Sequence, residues 1–219
     1  MKYYYFYSPI YEYYNNHIIE NLKNIFDVNP ILIDDIKPNL GGKKGHTFNG
    51  GVTIKIELVI KCIKENMNKM IIFTDCTIFI NKNNSIYLKE YFNNYKKNDL
   101  TFADNRINDD HNIGIMLIDC NKKTLEFFEK VYTTLKRDKG WDQKVINDLL
   151  KLETDLIYEK FDNKIYCNWK LNNEYKKSFY IFKSFIRHKN DKIVNFNKRI
   201  NIFYNSGLIT KEEYNKIIK

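Results

Sequence analysis

An acidic residue that could coordinate a cation follows an apolar run about a third of the way along the chain. Met70–Phe73 is apolar, Asp75 comes directly after Thr74, and the chain becomes apolar again at Ile78–Ile80. A carboxylate placed between two buried strands costs free energy unless it is paired, coordinates a metal ion or lies at the rim of the sheet. We therefore expect Asp75 to belong to a binding site, with the capping of a turn as the alternative, because Asp is a common turn residue.

Three further acids, Asp104, Asp109 and Asp110, suggest a second chemistry. Together with Asp75 they could hold two metal ions for an in-line displacement, as in a metal-dependent phosphoesterase or nuclease. The sequence contains no His-x-Asp or Asp-x-Asp motif, and Asp109-Asp110 lies in a polar stretch that is typical of a solvated loop. The GGKKGHT stretch at residues 41–47 is a weak phosphate-loop signal, because no Gly-Lys-Ser/Thr opens a helix there.

Apolar runs and helical spacing alternate along most of the chain, and this pattern predicts the elements that position the acids. The predicted strands are Lys2–Tyr7, Pro30–Ile33, Met70–Phe73, Ile78–Ile80, Leu100–Ala103, Asn112–Ile118, Ile165–Cys167 and Phe179–Ile186. The predicted helices are Tyr13–Phe26, Val52–Asn66, Ser85–Tyr95, Lys122–Arg137, Asp142–Leu152 and one that begins at Thr210. Pro38–Gly51 is rich in glycine and predicts a loop. The alternation indicates a single α/β domain, with a mainly parallel twisted sheet and helices on both of its faces.

The predicted elements also indicate which candidate residues could lie at a binding site. Ligands of open α/β sheets bind beyond the carboxyl ends of the strands, and this rule selects Ser8-Pro9, Thr74–Thr77 and the loops after residues 103 and 186. We expect His17 on the surface of the first helix and His111 in a polar loop, and we assign neither of them a role.

Length, charge and composition limit the class of protein. With 219 residues the chain is long enough for one domain with a full core. The net charge of +9 permits an anionic partner, but the scarcity of Arg disfavours the reading of DNA bases, and we expect no nucleic-acid partner. The four cysteines are spread apart, so we expect reduced thiols. No apolar run is long enough for a transmembrane segment, and no signal peptide precedes the first strand. From these features together we expect a cytoplasmic protein. The abundance of Asn, Ile, Lys and Tyr is typical of an AT-rich source, bacterial or viral.

Three segments, in this order, resemble the nucleotide-diphospho-sugar transferase family, which consists of glycosyltransferases of the GT-A fold. They are FTDCTIF at residues 73–79, the strand that starts with Asn112-Ile113-Gly114, and the block Trp141-Asp142-Gln143 with Asn147 after the long helix. The resemblance implies one GT-A-like domain over residues 1–219, with a nucleotide-binding half (1–110) and a sugar and acceptor half (111–219). It also implies transfer of a sugar from a UDP or GDP sugar to a hydroxyl of a glycan, a lipid or a protein. The oligomeric state stays open.

The resemblance implies roles for individual residues. Asp142 and Gln143 would be catalytic at the donor sugar, although they could also be only the cap and first turn of a helix. The implied nucleotide-sugar-binding residues are Tyr7, Ser8, Lys55, Thr74, Asp75, Asn112, Gly114, Lys189 and Lys192. The implied metal ligands are Asp75, Thr77 and His188, and the implied cofactor is Mn²⁺ or Mg²⁺. A solvated Lys55 and a surface His188 are the alternatives.

Thr77 departs from the pattern of the family, in which the second acid of an Asp-x-Asp motif stands at this position. A Thr hydroxyl is a weak, neutral ligand for a divalent cation. Three outcomes follow: a metal ion held by Asp75 with His188, a metal-independent transfer assisted by Lys side chains, or a catalytically inactive relative that only binds the nucleotide sugar.

Overall fold

The computed structural model describes residues 1–34, 46–80, 88, 91, 95, 98–104, 109–138, 140–162, 165–168, 180–182, 201, 204–205, 207 and 209–218. The strands are β1 (Lys2–Tyr7), β2 (Asp27–Leu32), β3 (Met70–Asp75), β4 (Ile78–Ile80), β5 (Leu100–Asp104), β6 (His111–Asp119), β7 (Tyr158–Lys160), β8 (Tyr166–Asn168) and β9 (Tyr180–Phe182). The α-helices are α1 (Glu12–Leu22), α2 (His46–Glu65), α3 (Lys122–Asp138), α4 (Asp142–Leu150) and α5 (Lys211–Ile218), and a 3₁₀ turn (Pro9–Tyr11) precedes α1.

The main sheet has six strands in the order β2-β1-β3-β6-β5-β7. The β1-β2, β1-β3 and β5-β7 pairs are parallel, whereas β6 pairs antiparallel with both β3 and β5. Only β6 therefore runs against the other strands of this sheet, which confirms the predicted mainly parallel arrangement. Because β6 is reversed, its first residues lie at the edge where β1 and β3 end. A smaller sheet has the order β4-β9-β8.

Both faces of the main sheet are covered by helices, as the sequence predicts. Successive β1 side chains point to opposite faces. Tyr4 packs in a core cluster with residues of α2, α3 and α4, whereas Tyr3 and Tyr5 pack in a second cluster with residues of α1. Helices thus pack against both faces of the main sheet. This packing fixes the positions of the side chains that follow β1 and β3.

α2 begins at His46, so the predicted loop is wrong for residues 46–51. Gly50 and Gly51 lie inside the helix, although each Gly costs about 1 kcal/mol there relative to Ala. Nucleation is the costly step of helix formation, and propagation adds one hydrogen bond per residue. The buried face of α2 from Val52 to Ile63 supplies the packed nucleus, from which the helix extends back into the glycine-rich stretch. The rest of the predicted loop, residues 38–45, lies outside the described residues.

Other boundaries differ from the predicted ones by a few residues. α1 ends at Leu22 because the chain turns there, and the Phe26 N–H donates to the Leu22 carbonyl at 2.9 Å. β2 starts at Asp27 and contains Pro30, which an edge strand tolerates. The predicted helix Ser85–Tyr95 lies largely outside the described residues.

The described cysteine side chains belong to the core. Cys62, Cys76 and Cys120 are buried free thiols, and burial raises the pKa of Cys62 and of Cys120 to about 12. Such thiols stay protonated and unreactive near neutral pH. The side chain of Cys167 lies outside the described part of the chain. Among the helices that the structure describes, none has the length and apolar character that a membrane crossing requires.

Candidate active site

A cavity of about 530 Å³ opens at the sheet edge where β1 and β3 end and β6 begins. Its walls come from residues 6–8 and 11 on one side, residues 51, 52 and 55 of α2, the turn at residues 75–77, residues 112–114 of β6 and residues 141–143 at the start of α4. The cavity lies where ligands of open α/β sheets bind, beyond the carboxyl ends of parallel strands.

Lys55 is the buried charge at the centre of this cavity. Its side chain is 6% exposed, and its Nζ donates to Asp75 Oδ1 at 2.7 Å and to the Ile113 carbonyl at 3.0 Å. Asp142 Oδ2 lies 3.8 Å from the same Nζ. A buried ammonium is tolerated only with such partners. The alternative of a solvated Lys55 is therefore wrong, and three elements, α2, β3 and α4, meet at one charged group.

The protonation of the cluster follows from its charges. Burial alone lowers the pKa of Lys55, but the carboxylates of Asp75 and Asp142 outweigh this and leave its pKa raised. Burial raises the pKa of Asp142; the Lys55 ammonium opposes the rise and the Asp75 carboxylate adds to it. One ammonium faces two carboxylates, so the ionised cluster carries an excess negative charge.

Asp142 is the first residue of α4, and Trp141 occupies the N-cap position, so Asp142 does not cap the helix. Its Oδ1 accepts the Gln143 N–H at 2.9 Å, which fixes the carboxylate at the helix start. A carboxylate in the first turn also interacts favourably with the helix dipole. Asp142 and Gln143 both line the cavity.

Asn147, in the same sequence block, holds α4 against β6. Its Nδ2 donates to the His111 carbonyl at 2.9 Å, and its Oδ1 accepts the His111 N–H at 2.7 Å. His111 lies in β6 and not in a loop, and the predicted loop position is wrong. His17 is also not a surface residue: it is 5% exposed, and its Nε2 accepts the Ile80 N–H at 3.1 Å.

Asn112 and Gly114 line the cavity from β6. Asn112 is buried, and its Oδ1 accepts the Gly114 N–H at 2.8 Å. Thr74 pairs with Ile115 at the end of the β3-β6 ladder, and Gly114 is the residue before Ile115.

Tyr7 and Ser8 line the cavity at the end of β1. Tyr11 also lines the cavity, although it was not among the predicted binding residues. The Ser8 carbonyl accepts the Tyr11 N–H at 2.8 Å and thereby closes the 3₁₀ turn. Burial raises the pKa of Tyr11 to about 12. The fixed φ of Pro9 at the start of that turn is the sequence signal that could have placed Tyr11 here.

Thr74 is not brought into the cavity. Its side chain is fully buried, and its Oγ1 donates to the Tyr3 hydroxyl at 3.0 Å. Alternation along β3 is the reason, because Phe73 and Asp75 face the α2 side while Thr74 faces the α1 side. The Thr74 side chain therefore does not line this cavity, and the contact of Thr74 with the nucleotide sugar stays a prediction.

The described residues do not by themselves form a metal site. Of the three predicted metal ligands, they include one carboxylate, Asp75, which is already paired with Lys55, and one neutral hydroxyl, Thr77. Within the described ranges no three His, Cys, Asp or Glu side chains converge as a metal cluster. The predicted residues His188, Lys189 and Lys192 lie outside the described residues.

The acids of the phosphoesterase alternative lie elsewhere. Lys160 Nζ is 3.1 Å from Asp104 Oδ1 and 2.9 Å from Asp109 Oδ1, so both carboxylates are paired with a Lys of β7. Asp104, Asp109 and Asp110 do not line the cavity that contains Asp75. The structure thus gives no support to a two-metal centre built from these acids.

Comparisons with known proteins agree with this geometry. The chain aligns with the crystal structure of a glycosyltransferase involved in the glycosylation of the major capsid of PBCV-1, with a TM-score of 0.62 and 11% identity over 92% of this chain and 98% of that one. It also aligns with the galactosyltransferase LgtC in complex with donor and acceptor sugar analogs, with a TM-score of 0.53 and 9% identity over 99% of this chain and 100% of that one. A third alignment is with the apo form of the glycosyltransferase GlyE from Streptococcus pneumoniae TIGR4, with a TM-score of 0.57 and 10% identity over 99% of this chain and 61% of that one.

A search of curated protein sequences gives no match. At these identities the three structures show the fold, which is that of GT-A glycosyltransferases. Residues 41–199 match the family model described as nucleotide-diphospho-sugar transferase, and this span covers most of the chain and reaches from α2 past the Asp142 block. The chain therefore belongs to the nucleotide-diphospho-sugar transferase family and is a glycosyltransferase.

Proposed function

We propose that the protein transfers a sugar from a UDP or GDP sugar to a hydroxyl of a glycan, a lipid or a protein. The observation that carries this proposal is the Lys55 Nζ, which pairs with Asp75 at 2.7 Å and lies 3.8 Å from Asp142 inside the cavity. The cluster joins the end of β3, where a diphosphate would lie, to the start of α4, where the sugar would lie.

The donor would extend along the sheet edge. The nucleoside would contact Tyr7 and Ser8 at the end of β1, and the diphosphate would lie near the Asp75–Thr77 turn. The sugar would contact Asn112 and Gly114. This layout supports the division into a nucleotide-binding half (1–110) and a sugar and acceptor half (111–219), because both halves contribute walls to the cavity.

In the proposed transfer, the bond between the anomeric carbon and the diphosphate oxygen breaks, and the diphosphate leaves with the electron pair. The acceptor oxygen forms a new bond to that carbon, and its proton passes to the departing diphosphate or to water. Positive charge develops at the sugar in an oxocarbenium-like transition state, which fixed negative groups stabilise. We assign this role to ionised Asp142, which Lys55 and the Gln143 N–H hold in place, and we assign the orientation of the sugar to the Gln143 amide.

The cofactor proposal, Mn²⁺ or Mg²⁺, depends on His188. Asp75 and Thr77 alone do not fit a divalent cation, because one is paired with Lys55 and the other is a neutral hydroxyl. We assign no step of the transfer to a metal ion. Lys189 and Lys192 are proposed as diphosphate contacts, because the ionised Lys55 cluster has no positive charge to spare.

Calorimetric titration with UDP and GDP sugars, with and without Mn²⁺, tests the proposal. We expect one class of nucleotide sugar to bind, and we expect slow release of free sugar when water is the acceptor. Binding without release of sugar, with any acceptor tried, would mark an inactive relative. Absence of binding by all of the donors would refute the proposed donor class.

A further inference from the structure

Trp141 is an exposed aromatic side chain at the mouth of the cavity. It is 63% exposed, and among the residues that line the cavity, all of which the structure describes, it is the one exposed side chain. Trp is on average a largely buried residue, because its indole carries a large apolar area. An indole kept at the surface beside a binding cavity is suited to contact a ligand through its exposed apolar surface.

The backbone that presents this indole is fixed. Trp141 occupies the N-cap position of α4, and its carbonyl accepts the Val145 N–H at 2.9 Å. Gly140 packs so closely that an added Cβ would lie 3.3 Å from Val145 Cγ2. Asn147 ties α4 to the first residue of β6. Little backbone freedom is lost when a ligand contacts such a platform, and this preorganisation favours binding.

Trp141 lies on the acceptor side of the proposed reaction. Across the sheet edge, the end of β1 with Ser8 comes first, the end of β3 with Asp75 second and the start of β6 third. α4 is held against β6, so Trp141 and Asp142 lie at the opposite side of the cavity from the proposed nucleoside position. A group that approaches the sugar at Asp142 from solvent meets the exposed indole.

The surroundings of the indole indicate which kind of acceptor it contacts. Asp142 and Gln143 follow Trp141 with hydrogen-bonding groups, and Lys144, one residue further, is exposed and ion-paired with Asp148. One apolar face set among hydrogen-bonding groups complements a pyranose, whose C–H face is apolar and whose rim carries hydroxyls. A lipid chain would need a continuous apolar groove.

We propose that Trp141 stacks on the C–H face of a pyranose and that the acceptor of this enzyme is a saccharide. The inference rests on the proposed glycosyl transfer and adds the class of its acceptor. Lipid and polypeptide acceptors are the competing outcomes. Trp141 is a substrate-binding residue in this proposal and takes no part in breaking the donor bond.

Kinetics with Trp141→Ala and Trp141→Phe test the proposal, with methyl glucoside, methyl galactoside and methyl mannoside as acceptors. We expect Trp141→Ala to raise the KM of the best methyl pyranoside about tenfold, since it removes the aromatic face. Donor affinity should stay within about twofold of wild type, because the donor does not contact Trp141 in this proposal. Trp141→Phe should retain most of the acceptor affinity. Leu152→Ala, at an exposed apolar residue beyond the other end of α4, is the matched control and should change neither quantity.

Fluorescence gives a readout that does not depend on turnover. The difference in emission between the wild-type chain and Trp141→Phe isolates the signal of Trp141 from that of Trp169, the other tryptophan. We expect this difference to change saturably when methyl pyranosides are added in the presence of UDP, and a change that reports only on UDP would contradict the proposal.

The failures of the two proposals are distinguishable. If no nucleotide sugar binds or is hydrolysed, the proposed function itself fails. If the donor is hydrolysed but the pyranosides change neither the emission nor the rate of sugar release, the saccharide acceptor alone is overturned. Transfer to a Ser- and Thr-containing peptide or to a long-chain alcohol, at a rate that Trp141→Ala leaves unchanged, would overturn it as well.

Discussion

Lys55 Nζ lies 2.7 Å from Asp75 Oδ1, which joins the middle of α2 to the last residue of β3. The same ammonium lies 3.8 Å from Asp142 Oδ2. Its charge is therefore already matched by carboxylates, and it does not offset the charge of a leaving diphosphate. In the proposed transfer, the described cluster would hold Asp75 and Asp142 in place, and the cation that faces the diphosphate would come from another part of the chain or from solution.

Replacement of Lys55 by Met should destabilise the fold. The substitution keeps the length of the side chain but leaves Asp75 and Asp142 facing each other without a cation, and removal of one partner of a buried ion pair costs about 3 kcal/mol. Denaturant unfolding of Lys55→Met against wild type measures this loss. Lys61→Met, at an exposed position of the same helix, is the control and should change the free energy of unfolding by less than about 0.5 kcal/mol. Equal effects of the two variants would contradict the central role of Lys55.

Replacement of Asp75 by Asn should remove donor binding and leave the fold intact. Asp75 lies at the rim of the cavity with its side chain 30% exposed, and Asn can still accept a hydrogen bond from Lys55. We expect a loss of about 1 kcal/mol in the free energy of unfolding. If His188 completes a metal site with Asp75, as the cofactor proposal requires, calorimetry should show that UDP binding weakens and no longer depends on Mn²⁺. Unchanged UDP affinity with unchanged Mn²⁺ dependence would show that Asp75 has no role at the diphosphate.

Local patterns predicted most of the elements, because apolar periodicity reports which face of a strand or helix is buried. Lys55 shows the limit of such patterns. Its position on α2 predicts a residue near the cavity, but only the tertiary structure shows that Ile113 and Asp142 provide its other partners. Lys55, Ile113 and Asp142 are far apart in the sequence, and no periodic pattern links them. The sequence alone therefore does not reveal that they meet.

Two predictions from the sequence, the loop at His111 and the loop before Val52, are wrong for the same kind of physical reason. The acidic pair before His111 is typical of a loop, and this polar character obscures the start of β6. The ladder with β5 and the hydrogen bonds between His111 and Asn147 stabilise the strand there. The glycines before Val52 are typical of a loop, and packing of the rest of α2 overrides their low helix propensity. Tertiary contacts decide in both cases.

His111 should make the protein less stable below the ordinary pKa of histidine. Burial lowers the pKa of His111 below 6.5, although the hydrogen bond with Asn147 opposes the shift. The unfolded chain then binds the proton more tightly than the folded one, so the free energy of unfolding falls as the pH drops below 6.5. His111→Gln cannot titrate and should lose this part of the pH dependence. Thermal or denaturant unfolding of both proteins across this range tests the expectation, and parallel pH profiles would contradict it.

The titration of Asp142 should change the free energy of unfolding in the direction opposite to that of His111. Its pKa is raised above 3.8, chiefly by burial, so the folded chain binds the proton more tightly than the unfolded one. Ionisation of Asp142 therefore costs stability as the pH rises above 3.8. The difference in free energy of unfolding between Asp142→Asn and wild type should move in favour of the variant from about pH 4 to about pH 7. Asp148→Asn, at an exposed residue of the same helix, is the control variant.

Replacement of Thr77 by Asp should create the metal affinity that the described residues lack. Thr77 lines the cavity next to Asp75, and a second carboxylate there would add a charged oxygen ligand of the kind that Mg²⁺ and Mn²⁺ prefer. The new charge also competes for the Lys55 ammonium and leaves Asp75 more available to a cation. We expect Mn²⁺ to bind Thr77→Asp at least about tenfold more tightly than wild type in the presence of UDP, as measured by calorimetry. Thr77→Asn, which adds a neutral side chain of the same size, should not produce this gain. If Thr77→Asp bound Mn²⁺ no better than Thr77→Asn does, the Asp75–Thr77 turn would not be a place where this protein holds a metal ion, and the diphosphate charge would have to be met by Lys side chains.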